Sequence, residues 1–116
     1  MMNVEEILCD IINLNNTYIG EGPIDIDNCQ WIRSASGPSE DHFDKNTYDK
    51  FSFRVYVRGT SNEESKQRMD SIYKKLKSYI GANYVIVVNR LPHYMGSDVK
   101  YRHLYALNIE FQLGGY

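Results

Sequence analysis

Residues 51–59 read FSFRVYVRG, and no other stretch of the chain restricts its fold so tightly. Apolar and polar side chains alternate with a strict period of two, which a β-strand sorts into two chemically distinct faces and a helix would scatter around its circumference. One face carries Phe51, Phe53, Val55 and Val57 and calls for burial, while the other carries Arg54, Tyr56 and Arg58. The strand therefore belongs to a sheet with a core on one side. What its second side meets, whether nucleic acid, protein or water, is the question on which function turns. Gly59, lacking a side chain, suits the turn that leaves the sheet.

The rest of the chain supplies partners for that core. Residues 3–13 place Val4, Ile7, Leu8, Ile11 and Ile12 at helical spacing, with Glu5 and Glu6 near the positive end of the helix dipole. CQWIRS at 29–34 reads as a short strand, and the polar, turn-rich stretch 35–49 as a protruding loop. After Gly59, Ser61 and Glu64 have capping-box spacing at the head of a second helix. Its expected buried stripe is Met69, Ile72, Tyr73, Leu76, Tyr79 and Ile80, with Gly81 placed to end it in a left-handed turn. NYVIVVNRL at 83–91 is a β-branched strand that Pro92 closes, and YRHLYALNIEFQL at 101–113 is the last strand, with Tyr105, Leu107, Ile109, Phe111 and Leu113 on its core face. The expectation is one domain spanning residues 1–116, an α+β two-layer sandwich in α-β-β-α-β-β order. Its four-stranded, mainly antiparallel sheet would carry both helices on one face.

Charge is divided along the chain. Residues 1–53 hold three Lys/Arg against ten Asp/Glu, and residues 54–103 hold ten against four, although the whole chain is only −2. Such a division favours association of acidic with basic surface between copies. Cys9 and Cys29 have neither CxxC spacing nor a histidine cluster nearby, and read as reduced packing residues of a cytoplasmic protein. The acidic N-terminal stretch, with its short apolar stripe, is not expected to be a signal peptide or a membrane span.

Catalytic signatures are missing from the sequence. His42, His93 and His103 stand at no zinc-ligand spacing, and neither GxxxxGK[ST] nor GxGxxG occurs. GEG at 20–22 is followed by Pro23 and acidic residues that would repel a phosphate. No catalytic residue, metal or cofactor is therefore expected. Arg54, Tyr56, Arg58, Arg90, Lys100 and Arg102 could share one sheet face, so single-stranded nucleic acid held on a basic and aromatic face is the alternative reading. Against it stand a pI of about 5.9, the intruding Asp98 and Glu110, and the lack of an RNP-like aromatic pattern.

Several motifs together resemble one family: YIGEGP at 18–23, NCQWIR at 28–33, FRVYVRG at 53–59, IYKKL at 72–76 and LPHYMGSDVKYRHLYALNIEF at 91–111. In this order they are similar to the minor capsid and tail-terminator proteins of tailed bacteriophages and prophages. The last block matches a proline, Gly-x-Asp and alternating-strand pattern at Pro92, Gly96, Asp98, Asn108, Ile109 and Phe111, with Ser97 where the pattern has a basic residue. The resemblance implies a structural virion protein at the head–tail junction, assembled in the host cytoplasm. It would close into a homo-oligomeric ring, a hexamer, that caps the tail tube protein and docks a head-completion or connector protein. It implies no cofactor, no membrane and no sequence-specific nucleic acid. On this reading Arg54, Tyr56, Arg58, Asp98 and Arg102 form the subunit or partner interface, with Asp98 pairing Arg54, Arg58 or Arg102 of the adjoining subunit; the competing role for Asp98 is to hold the loop between the last two strands.

Overall fold

The computed structural model describes residues 4–34, 49–77, 79–81, 84–88 and 90–113. The chain runs α1 (Val4–Ile12), β1 (Thr17–Ile19), β2 (Cys29–Ser34), β3 (Asp49–Gly59), α2 (Asn62–Leu76), β4 (Tyr84–Val87), β5 (His93–Ser97) and β6 (His103–Leu113). The order is thus α-β-β-β-α-β-β-β around a six-stranded mixed sheet, which corrects the expected four-stranded, mainly antiparallel sheet in α-β-β-α-β-β order. The two additional strands are β1 and β5. Neither is legible locally: β1 is three residues long within an Asn- and Gly-rich stretch, and β5 contains Gly96 and a bulge after Tyr94. Both exist because a longer neighbour offers a pairing edge, β2 to β1 in parallel and β6 to β5 in antiparallel register.

The two long strands form the spine. β3 and β6 pair antiparallel along their full length, from Asp49 opposite Leu113 to Gly59 opposite His103. Strand order is β1-β2-β3-β6, and beyond β6 lie β4 against its C-terminal half and β5 against its N-terminal half. Phe53, Val55 and Val57 face the core, as do Tyr105, Leu107, Ile109 and Phe111, so the period-two reading of both strands holds for these residues. α1 covers β1 and β2, α2 covers β3 and β6, and the helices touch each other on that one face. Leu8 and Ile12 of α1 and Met69, Ile72 and Leu76 of α2 are fully buried there.

Helix ends are set by side chains. The Ser61 hydroxyl accepts the Glu64 amide at 3.2 Å, as the capping spacing predicts. α1 stops at Asn13 (φ 51°), and Lys75 of α2 donates to the Ile12 carbonyl at 2.7 Å, closing one helix with the other. α2 ends at Leu76, with the Lys77 amide bonded to the Tyr73 carbonyl, so Gly81 is not its terminator. Residues 79–81 instead fold back along β4: the Gly81 amide reaches the Tyr84 carbonyl, the Ile86 amide reaches the Tyr79 carbonyl, and Ile80 is left largely exposed. Gly59 is required by close packing, since a Cβ there would overlap Ser65, Arg68 and Asn28. The loop expected at 35–49, with His42, lies outside the described residues as far as 48, and Asp49 opens β3; the side chain of Leu113 is also outside them.

Candidate functional site

The sheet face opposite the helices carries Trp31 on β2, Arg54, Tyr56 and Arg58 on β3, and Leu104, Ala106, Asn108 and Glu110 on β6. It is divided into a covered half and an open half. Residues 20–28, which link the parallel pair β1 and β2, cross the covered half as a strap. Gly22 lies so close to the Trp31 ring that any Cβ would overlap it. The Trp31 ring is in turn stacked on Tyr56 at 5.1 Å and lies under the Arg58 guanidinium at 5.1 Å.

Two buried arginines hold the strap. Arg58, 8% exposed, donates to the carbonyls of Pro23 and Ile26 and reaches Cys29 Sγ at 3.4 Å. Arg102, 4% exposed, donates Nη1 to the Ile24 carbonyl at 2.6 Å and lies 3.5 Å from Asp27. Both also reach the Ile26 carbonyl, so one strap residue is gripped from β3 and from the entry to β6. Burial pushes the Cys29 thiol pKa up, with Arg58, Arg68 and Arg102 pulling the other way.

Asp98 organises the turn between β5 and β6. Its Oδ1 accepts the amides of Lys100 and Arg102, each at 3.0 Å, and its Oδ2 accepts Arg102 Nε and Nη2, each at 2.9 Å. These bonds, the Arg102 amide first and then its side chain and the Lys100 amide, hold the carboxyl pKa down to about 2. The turn is closed by Asp98 and Arg102 backbone bonding, with Gly96 at φ 101° and Tyr101 at φ 61°. A left-handed conformation is expected of Gly96 but uncommon for a tyrosine. Around this braced turn the large apolar side chains point outward: Leu91, Tyr94 and Met95 are exposed, Val99 is 92% exposed and Tyr101 82%.

The interface residues named from sequence therefore separate. Asp98 and Arg102 are partners within the chain, and Arg58 is buried beneath the strap. Arg54 and Tyr56 are half-buried on the open side, where Arg54 Nε donates to Asn108 Oδ1 at 2.7 Å. Next to them a shallow concavity of about 410 Å³ is lined by Ser52, Val87, Arg90, Asn108 and Glu110. Sequence reasoning missed the strap, whose carbonyls have no signature, and the outward apolar groups of the hairpin. Val99 and Tyr101 interleaved with Ser97, Asp98 and Lys100 were the available signal, since apolar residues in a polar turn have no core to enter. Among the described residues no three His, Cys, Asp or Glu side chains converge as a metal site, and no helix is long and apolar enough to cross a membrane.

The fold and this surface define a class: a small two-layer α+β domain with Tyr94, Met95, Val99 and Tyr101 exposed on a pre-braced hairpin, a feature of macromolecular contact surfaces. The chain belongs to the bacteriophage tail terminator protein family, whose pattern matches residues 7–114. It is therefore a structural phage protein and a component of the virion. No curated protein matches the chain significantly.

Proposed function

We propose that the chain acts without catalysis, closing into a homo-oligomeric ring, a hexamer, that caps the completed tail tube and offers a docking surface for the head-completion or connector protein at the head–tail junction. One observation supports this reading above the others: the hairpin β5–β6 exposes Tyr94, Met95, Val99 and Tyr101, beside a turn that Asp98 and Arg102 hold fixed. Exposing apolar groups on a rigid support costs stability in the isolated chain and favours a partner that covers them. In this scheme Arg54 and Tyr56 contact a partner directly, whereas Arg58, Asp98 and Arg102 shape the surface by holding the strap and the turn. The nucleic-acid alternative loses its main groups, because Arg58 and Arg102 are spent on strap carbonyls and Arg54 on Asn108.

Light scattering over a wide concentration range, with electron microscopy of the protein alone and with purified tail tubes, tests the reading. Rings in solution or on tube ends are expected. A protein that stays strictly monomeric and leaves tube ends bare would overturn it.

A further inference from the structure

The sheet has two edges. At one end, among the described residues, β1 bonds inward to β2: the Asn16 carbonyl takes the Gln30 amide and the Gly20 amide reaches the Ile32 carbonyl, so strand alternation turns the backbone groups of Thr17 and Ile19 outward. At the other end, among the described residues, no strand lies outside β5, whose Met95 sits at the bulge against β6. The neighbouring edge at β4 is different, because residues 79–81 bond along it. Open edges with exposed apolar side chains are sites of strand addition, which isolated proteins ordinarily blunt. Here Ile19 and Met95 are each 46% exposed and Tyr94 is 48% exposed.

Direction completes the match. The exposed charges do not divide between the edges: Glu21 is paired with Arg33 at 3.2 Å, and Asp27 lies 3.5 Å from Arg102, whose partner Asp98 sits in the β5–β6 turn. Following the pairings across the sheet, β2 is parallel to β1, β3 opposes β2, β6 opposes β3 and β5 opposes β6, so β5 runs opposite to β1. A second copy placed alongside in the same orientation would present its β1 antiparallel to this β5. We propose that β5 of one copy adds to β1 of the next, carrying the sheet across the subunit boundary as a heterologous contact that can close a ring. The proposal rests on the ring reading and names the surfaces that make it.

Paired cysteines separate the two. In a chain with Cys9→Ser, leaving the buried Cys29, Ile19→Cys is combined in turn with His93→Cys, Tyr94→Cys, Met95→Cys or Ser97→Cys, and each protein is oxidised mildly with and without tail tubes. Antiparallel strands bring alternate positions within disulfide reach. The expected result is loss of most of the monomer band to a reducible ladder for positions of one parity, and none for the single-cysteine controls. If microscopy shows rings but no position gives a ladder, or Ile19→Cys alone forms dimers, the edge contact is wrong while the ring stands. A strictly monomeric protein with bare tube ends overturns both.

Discussion

Asp98→Asn is the substitution that tests most directly how the surface is held. It keeps the shape of the side chain and an oxygen for the Lys100 and Arg102 amides, and removes the charge that two guanidinium nitrogens contact at 2.9 Å. Hydrogen bonds to charged groups contribute about 1.5–3 kcal/mol each. Solvent reaches a third of the Asp98 side chain (33%), and Asp27 stays 3.5 Å from Arg102, so screening and a residual partner keep the loss near the low end. A loss of about 2 kcal/mol is expected, a fall in Tm of roughly 8 °C for a domain of this size. The pH dependence carries a sharper signature. The Asp98 pKa is held at about 2 in the folded chain, below its ordinary 3.8, so its contribution is complete above that ordinary value and disappears as pH falls through about 2. The difference in stability between the parent chain and Asp98→Asn should therefore be constant from neutrality to about pH 4 and close between there and about pH 2. Thermal unfolding followed by circular dichroism measures both. A variant that melts within about 2 °C of the parent, or a gap that persists unchanged into acid, would refute the coupling of Asp98 to Arg102.

Three further outcomes are expected. Gly22→Val drives a side chain into Trp31 and should lift the strap at a cost of about 1–3 kcal/mol; because Trp31 is the only tryptophan, a red shift in its emission reports the change directly. Leu76→Ala removes a fully buried side chain from between the helix and the sheet and should cost about 2–5 kcal/mol in chemical denaturation, with no change in the denaturant slope. Tyr101→Gly relieves a left-handed tyrosine while adding unfolded-state freedom, two terms of about 1 kcal/mol that nearly cancel. The isolated chain should melt as before, and self-association measured by light scattering should weaken.

Legibility in the sequence followed the range of the interaction concerned. The amphipathic stripe of α1, that of α2 as far as Leu76, the Ser61 cap and the core faces of β3 from Phe53 and of β6 up to Phe111 are local patterns, and the structure has them, whereas Phe51 and Ile80 are exposed. Gly81, by contrast, is expected to end α2 and instead borders Tyr84 in a fold-back beside β4. The end of α2 depended on where that helix ran out of core to bury, at Leu76. The site was legible in its residues and not in their roles. Arg54, Tyr56 and Arg58 were placed on one face correctly, but nothing near Arg58 in sequence shows that Pro23 and Ile26 will stand over it.

The sequence by itself determined that this chain would build a sheet with helices on one side and an Arg- and Tyr-bearing face on the other, because period and polarity are properties of neighbouring residues. Tertiary structure alone decided what became of that second face. Burying a guanidinium requires acceptors, and the ones available were carbonyls of a strap more than thirty residues before Arg58 and more than seventy before Arg102. Their capture made β1 a parallel edge strand, turned two arginines inward and left the apolar hairpin at the opposite edge as the surface to be covered.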